Sequence, residues 1–309
     1  MSLYVYGPLH SVIVENRIVS IKQNHRVSYY YMAKGLYNTF LQYLNEGIYL
    51  FMTVSEHERK VKGVMAKTVE SLEKIIYPDK QNPRIFYDTQ IIKSGIKNIM
   101  NGTQYKLFLD LEMSMPPYQN YEHFVSEIIQ SGLVLVDGVG NVLEKHTDFV
   151  KPTLFKELSN RTKKFLKITQ ETIDHGMTYI DFYRKLERIL KTYRPMVVVW
   201  GQNDIIEIKK STLNHHLPDI TRNVQFIDLL KLHKLFFGLK NDLGLFNAHN
   251  LYATIDLDEQ AHDALEDAMV TKSVFESFKK VCNGEISIII PDSSAKTTVE
   301  TSHSVVVDA

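Results

Sequence analysis

The sequence contains a single cysteine, Cys282, and no apolar run that approaches the length needed to cross a membrane. A lone cysteine cannot form an internal disulfide, so we expect a reducing, cytoplasmic compartment. A membrane-spanning helix needs about 18 or more consecutive apolar residues, and residues 1–8 lack the basic and then apolar segments of a signal peptide. With 44% hydrophobic residues in a chain of 309, the composition predicts a soluble globular protein with a substantial core and no membrane partner.

Net charge is also absent from the chain as a whole, but the charges are unevenly distributed. Residues 1–100 hold 13 Lys and Arg against 8 Asp and Glu, a net of +5, and residues 101–309 carry the compensating −5. The first segment also holds 10 of the 17 tyrosines, including the run at 29–31. Basic and aromatic side chains together are typical of a surface for single-stranded nucleic acid. The alternative is that these tyrosines pack inside a small domain.

Short alternating segments predict a small α+β domain over residues 1–103. Its predicted elements are, in order, a hairpin over 11–21 that turns at 15–17, a helix over 32–45, a hairpin over 48–66 that turns at 56–58, a strand at 85–87 and a helix over 90–100. The sequence Asn101-Gly102-Thr103 predicts the boundary of this domain.

Longer apolar strands and helices predict a second, α/β domain with a mixed sheet over residues 104–284. Its predicted elements are strands at 107–113, 128–136, 142–150 and 196–200, and helices over 178–193 and from 259 through 278. The apolar run at 196–200 is typical of a strand that is covered on both faces. The last segment, 285–309, is rich in Ser and Thr, and we expect it to be disordered.

Two carboxylates interrupt the first of these apolar strands, at Asp110 and Glu112. Because side chains two residues apart on a strand point to the same face, the two carboxylates converge. Converging carboxylates repel each other unless a proton, an arginine or a divalent cation offsets their charge, and hard cations such as Mg²⁺ or Mn²⁺ take oxygen ligands. The alternative is an ordinary half-buried strand whose polar face meets water.

Three further residues carry groups suited to the same chemistry. Asp204 follows a buried strand where a helix begins, a place where functional groups gather in α/β sheets and where aspartate also serves as a helix N-cap. His262 precedes Asp267 by five residues at the start of the last helix, which puts a titratable base near an anion; a solvated acidic first turn is the alternative. Together, four carboxylates and one histidine can hold two metal ions and take a proton from water, as phosphodiester hydrolysis requires.

The order and spacing of these residues resemble the DEDD superfamily of 3′-to-5′ exonucleases, in the histidine-containing branch with ribonuclease T, oligoribonuclease and the polymerase proofreading subunit. Asp110-Leu111-Glu112 matches the first motif, Asp204 the second, and the segment from His262 to Ala268 the third, His-x-Ala-x-x-Asp-Ala. The match spans about residues 105–281. Three further segments most resemble the KapD-like proteins of Gram-positive bacteria: Met115-Pro116, Phe165-Leu166-Lys167-Ile168-Thr169 and Trp200-Gly201.

The resemblance implies an RNase H-like sheet and two Mg²⁺ or Mn²⁺ ions, with His262 as the general base. The implied metal ligands are the four carboxylates, Asp110, Glu112, Asp204 and Asp267. One metal would lower the pKa of the attacking water, whose proton His262 would accept, and the second would stabilise the departing 3′ oxygen. Family members bind the terminal nucleotide just after the first motif, which implies substrate contacts at Leu111 and Met113. Met113 stands where the family commonly has threonine, so the choice between RNA and DNA is open at this position.

We therefore predict a metal-dependent 3′-to-5′ exonuclease that acts on single-stranded nucleic acid with a free 3′ end, with RNA preferred over DNA on the resemblance alone. The basic first domain, which the resemblance does not cover, would recruit or orient the strand. One alternative is a non-catalytic nucleic-acid-binding or regulatory protein that kept the fold, and the complete set of catalytic-type residues argues against it. Another is a proofreading exonuclease that works with a polymerase. A homo-oligomer is left open.

Overall fold

The computed structural model describes residues 2–79, 81–119, 123–239, 241–253 and 262–288. The chain divides into two compact units between Ile96 and Lys97. This division falls within the helix near the end of the first predicted domain, close to the predicted boundary at residue 103. Most of the tail that we expect to be disordered, residues 289–309, lies outside the described residues.

The first unit is built mainly of β-strands. Its strands β1 to β6 are Ser2–Ile13, Ile18–Gln23, Arg26–Met32, Tyr49–Val61, Val64–Tyr77 and Arg84–Asp88. Helix α1 spans Lys34–Phe40 between β3 and β4, and helix α2 spans Thr89–Met100 after β6. One-turn 3-10 helices cover Val14–Asn16 and Leu41–Tyr43.

The strands of the first unit close into a barrel around one apolar core. The sheet runs in the order β3-β2-β1-β4-β5-β6, and β3 also pairs with β5 in parallel, so five of the strands return on themselves. The core between them includes Val19, Leu50 and Met52, which are all fully buried. Closure removes two open sheet edges, which would otherwise expose unpaired backbone groups.

The sequence predicted the first hairpin of this unit correctly but misplaced the second turn. Residues 56–58, the predicted turn, lie inside β4, and the chain reverses at Lys62-Gly63 between the paired residues Val61 and Val64. Both turn residues have positive φ, 44° and 93°, which is the geometry of a two-residue hairpin loop. Strand β3 was not predicted.

The second unit is an α/β layer structure, as predicted. Strands β7 to β11 are Lys106–Met113, Ile128–Val136, Val142–Phe149, Met196–Val199 and Phe226–Asp228. Helices α3 to α9 are Asn160–Leu166, Gln170–Asp174, Tyr179–Tyr193, Asn203–Asn214, Leu229–Phe237, Leu245–Asn250 and Ala264–Asn283. The sheet order is β11-β10-β7-β8-β9. Strands β10 and β11 run parallel to β7, whereas β8 is antiparallel to both of its neighbours, β7 and β9.

Strand β7 lies at the centre of this sheet, and its two faces meet different helices. Leu107, Leu109 and Leu111 join the core formed with α5. On the opposite face Phe108 packs edge-on against Phe275 of α9, with ring centroids 5.5 Å apart. The alternation of a strand therefore directs Asp110 and Glu112 to the face that α9 covers. Among the described residues, no helix is long and apolar enough to span a membrane.

Candidate active site

Asp110 and Glu112 lie near the carboxyl end of β7 and are both largely removed from solvent. On the neighbouring strand β8 their paired residues are Gly132 and Gln130. Gly132 has no side chain, so the backbone of α9 at Ala264 and Leu265 comes into close contact with the strand next to Asp110. Asp110 and Glu112 lie on the same face of β7, as the two-residue spacing predicted.

Asp204 reaches β7 from the first turn of α6. Strand β10 pairs with β7 only as far as Val198, and the chain then turns through Gly201 into the helix. The carboxylate of Asp204 accepts a hydrogen bond of 3.0 Å from the backbone N–H of Leu111, next to Asp110. The helix N-cap is Gln202, so the interpretation of Asp204 as the N-cap is wrong. With only 6% of its surface exposed, Asp204 is a buried carboxylate at the edge of β7.

Asp267 is brought to the same place by the amino end of α9. Asp263 is the N-cap of this helix: its carboxylate accepts hydrogen bonds from the backbone N–H groups of Leu265 and Glu266, and from the side-chain amide of Gln130 at 2.7 Å. The last bond ties the helix start to β8. Asp267 lies one turn into the helix and is 3% exposed. The predicted solvated acidic turn is therefore wrong for Asp267, although Glu266 beside it is exposed.

His262 is not part of the helix but lies just before its N-cap, with a left-handed backbone φ of 52°. Its Nδ1 is 3.9 Å from a carboxylate oxygen of Glu112. One face of the imidazole packs against Phe165 of α3, with ring centroids 4.1 Å apart. Burial, and secondarily the positive charge of Lys167, lower the pKa of His262, which favours the neutral ring near physiological pH.

The carboxylates of this cluster strongly disfavour one another's ionisation. Burial raises the pKa of Asp110 well above its usual value, and the charges of Asp204, Asp267 and Glu112 add to the shift. Burial first, and then the charge of Asp267, raises the pKa of Glu112 to about 8. Burial also raises the pKa of Asp204 to about 7, although the hydrogen bond from Leu111 opposes this shift. Carboxyl groups that are this close together and this desolvated stay protonated unless a cation offsets their negative charge.

The donor set fits a divalent cation. Glu112, His262 and Asp267 each offer a ligand atom, and these atoms lie within 4.8 Å of one another. The carboxylate oxygens suit Mg²⁺ or Mn²⁺, which are hard ions that take oxygen ligands. A bound cation would also offset the repulsion that raises the carboxyl pKa values.

The family model for exonucleases of the RNase T type matches residues 107–275, which is more than half of the chain and includes every residue of this cluster. The chain belongs to this exonuclease family. It is a 3′-to-5′ exonuclease, as the sequence predicted, and the curated relative "Probable 3′-5′ exonuclease KapD" from Bacillus subtilis (strain 168) is 33% identical over 171 residues, covering 55% of this chain and 82% of the relative. The resemblance to the DEDD superfamily is thereby confirmed.

The likeness to one solved structure supports this assignment of the fold. The nuclease domain of 3′hExo, a DEDDh family member bound to rAMP, superposes with a TM-score of 0.50 at 19% identity and covers 61% of this chain and 97% of that domain. Exonuclease I of E. coli in complex with a dT13 oligonucleotide has a TM-score of 0.47 at 17% identity, over 59% of this chain and 42% of the other. The RNase H-like sheet predicted for the exonuclease is confirmed by the first of these likenesses.

The two residues predicted to contact substrate in this exonuclease face away from the carboxylates. The side chain of Leu111 is buried in the core beside α5, and Met113 packs partly buried against the same core. Leu111 uses its backbone N–H to position Asp204. The substrate contacts of both residues stay predictions, and they concern the backbone of Leu111 rather than its side chain.

Several residues that support the exonuclease site were not identified from the sequence. Gln130 and Asp263 fasten the amino end of α9 to β8, and Phe165 packs on His262. Glu127 is buried and accepts four hydrogen bonds from residues 153–155, three of them from backbone N–H groups. The Asp263 N-cap signal was available because aspartate precedes the helical run. The other contacts join distant parts of the sequence, and no local pattern indicates them.

Proposed function

We propose that this exonuclease releases nucleotides one at a time from the 3′ end of single-stranded nucleic acid in the cytoplasm, using two Mg²⁺ or Mn²⁺ ions. The observation that carries the proposal is the convergence of four carboxylates from β7, α6 and α9 with His262. The proposed metal ligands are Asp110, Glu112, Asp204 and Asp267. Bound divalent cations supply Lewis-acid stabilisation of the attacking and departing oxygens.

His262 is the proposed general base of this reaction. Its Nδ1 faces Glu112, so Nε2 is the nitrogen we assign to accept the proton of the attacking water. The lowered pKa keeps the imidazole neutral and therefore able to accept a proton. Packing against Phe165 restricts the ring to one orientation, which supports proton transfer at a fixed position.

RNA is proposed ahead of DNA on the family resemblance alone. Met113 ends β7 immediately after the carboxylate pair and is the position where we expect the contact with the terminal sugar. A thioether accepts hydrogen bonds only weakly, so Met113 would contact the sugar through its apolar surface. The contact with Leu111 would be made through its backbone.

The test is the digestion of 3′-labelled and 5′-labelled single strands of RNA and DNA of one sequence, with Mg²⁺, Mn²⁺ or chelator. We expect metal-dependent release of 3′ nucleotides, no turnover by Asp110→Asn or Asp204→Asn, and a loss of about 10²-fold in His262→Ala. Glu112→Gln is compared with Glu157→Gln, which removes an exposed carboxylate and should leave activity unchanged. Full activity in Asp110→Asn would overturn the proposal.

Metal binding itself is measured separately, by the melting temperature during a Mn²⁺ titration. A cation that binds only the folded protein raises its melting temperature progressively as the cation concentration exceeds its Kd. We expect this rise in the wild type and in Glu157→Gln but not in Glu112→Gln. An equal rise in all three proteins would show that the cation binds somewhere other than the carboxylate cluster.

A further inference from the structure

The barrel of the first unit has a specific topology. Its strands follow one another around the barrel as β1-β2-β3-β5-β4, all neighbours being antiparallel except β3 and β5. Helix α1 lies between β3 and β4 in the chain, and β1 pairs through its first half with β4 and through its second half with β2. This arrangement is that of an OB-fold barrel, whose ligands bind on the face of the second and third strands, between the β1–β2 and β4–β5 loops.

The corresponding face of this barrel carries aromatic side chains. Along β3 the side chains alternate: Tyr30 and Met32 point into the core, whereas Tyr29 and Tyr31 point outward. Two residues of a strand advance by roughly 6.6 Å, so the two outward rings follow one another along one line. Tyr29 is 36% exposed. Base stacking on such rings is independent of base identity, because every base has a π-face.

The two loops that frame this face bring arginines to the same tyrosine. Arg59, on the exposed arm of the β4–β5 hairpin, places its guanidinium 4.3 Å from the centre of the Tyr31 ring. Arg17, in the β1–β2 loop, donates a hydrogen bond of 3.1 Å to the Tyr31 hydroxyl. Lys62 at the tip of the hairpin donates to the backbone carbonyl of Glu15 in the β1–β2 loop. The tip of the hairpin therefore contacts the β1–β2 loop, and its arm lies beside the outer face of β3.

The charge of these elements identifies the class of ligand. Residues 14–31 and 56–67 together contain seven Lys and Arg against three Glu. Cationic side chains beside stacking platforms recognise a phosphate backbone with unpaired bases, whereas an uncharged oligosaccharide would gain nothing from the excess of positive charge. We propose that the outer face of β3, bordered by Arg17 and Arg59, binds single-stranded nucleic acid without need of a 3′ end.

The outer face of β3 would be a second binding surface for the nucleic acid that the proposed exonuclease hydrolyses, so it rests on the proposed function. Its test measures binding and does not depend on hydrolysis. The probe is a circular single strand, which has no 3′ terminus for the active site. The affinity of the full chain for this circle is measured by competition, with chelator present. We expect the wild type to bind the circle. Tyr29→Ala and Arg59→Glu should each weaken this binding about tenfold, the range expected for losing one stacked base or one phosphate contact, and Arg59→Glu should also reduce its salt dependence.

Two matched controls separate this face from the rest of the barrel. Arg84 lies over the ring of Tyr77 at 5.1 Å, far along β5 from the hairpin, so Arg84→Glu reproduces the charge change of Arg59→Glu at another Arg–Tyr pair. Tyr6→Ala removes an exposed ring from β1 that stacks on Phe51. Both controls should keep wild-type affinity for the circle.

The outcomes distinguish failure of this inference from failure of the proposed function. Hydrolysis of a dinucleotide, too short to occupy a second contact, should be unchanged in Tyr29→Ala and Arg59→Glu. No binding of the circle by the wild type, equal losses in the control variants, or a loss confined to Tyr6→Ala would each overturn the inference. Binding that follows the expected pattern in a protein that hydrolyses nothing would support it and reject the exonuclease mechanism alone.

Discussion

Substitution of Gly132 by alanine tests whether the close approach of α9 to β8 is what aligns the catalytic cluster. Gly132 is paired with Asp110 on one side and Thr147 on the other. A Cβ at this position would lie 1.9 Å from the backbone carbonyl oxygen of Ala264 and 2.4 Å from the backbone nitrogen of Leu265. These are backbone atoms of the first turn of α9, so no side-chain rotation relieves the overlap.

The displacement follows from these distances. Ordinary contact begins at 3.4 Å, so the backbone at Ala264 must move by about 1.5 Å. Asp267 lies three residues after Ala264 in the same helix, and His262 lies two residues before Ala264, so both residues move with the start of the helix. A misplacement of about 1 Å in a catalytic group can cost about 10²-fold in rate, and overpacking of this kind costs about 1–3 kcal/mol of stability.

The assay compares Gly132→Ala with Gly95→Ala, whose added methyl meets nothing within 4 Å. We expect Gly132→Ala to fold, with a lower melting temperature, and to lose about 10²-fold in kcat on a short 3′-labelled strand. Gly95→Ala should keep full activity and gain about 0.5–1 kcal/mol of stability, because it replaces glycine in a helix. Wild-type kcat in folded Gly132→Ala would refute the reasoning, since the helix would then have moved without consequence.

Three further predictions concern stability. Because burial raises the pKa of Glu112 to about 8, the folded protein holds a proton that the unfolded chain releases above its ordinary pKa. This carboxyl group alone should therefore cost the metal-free wild type up to about 4 kcal/mol of stability as pH rises from 4.5 to 8, and the raised pKa values of Asp110 and Asp204 act in the same direction; Glu112→Gln should remove the share of Glu112 in urea titrations at several pH values. His233 has the opposite effect on the pH dependence of stability, because it is fully buried and burial lowers its pKa to about 4. Stability should fall by about 3 kcal/mol as pH falls from 6.5 to 4. The variant His233→Gln, which keeps a partner for the Tyr252 hydroxyl, should lose less stability over this pH range. Glu127→Ala should cost about 1.5–3 kcal/mol in chemical denaturation, because it removes the buried carboxylate that accepts hydrogen bonds from three backbone N–H groups after Pro152; a cost below about 1 kcal/mol would show that water replaces the carboxylate.

The second unit could be predicted from the sequence because its central strands β7, β8 and β10 are largely buried and therefore consist mostly of apolar residues. The predicted strand 128–136 coincides with β8, whose residues are all buried. The barrel was only partly predicted, since its strands carry one solvated face. The arm of β4 at residues 56–60 is exposed on both faces, so its polar sequence resembles a turn, and the true turn at Lys62-Gly63 depends on two positive φ values.

The proposed catalytic residues were predicted by motif, but their arrangement depends on contacts between distant segments. The hydrogen bond that positions Asp204 joins residues 93 positions apart, and the one between Gln130 and Asp263 joins residues 133 apart. No local propensity encodes such pairs. The sequence at Asp204 was also compatible with an N-cap. The structure shows instead that Gln202 is the N-cap and that the carboxylate of Asp204 accepts a hydrogen bond from Leu111 of β7.

The same packing that assembles the site also makes it unfavourable when no cation is bound. Gly132 admits α9 so close to the sheet that Asp267 is buried beside Asp110 and Glu112, and burial raises the pKa values of the latter two. A divalent cation would bind the ionised carboxylates and displace the protons they would otherwise retain, so its affinity must increase with pH across the range in which the metal-free protein loses stability. The rise in melting temperature produced by Mn²⁺ should therefore be larger at pH 8 than at pH 6. A rise that is independent of pH would show that these carboxyl groups do not exchange protons for the metal.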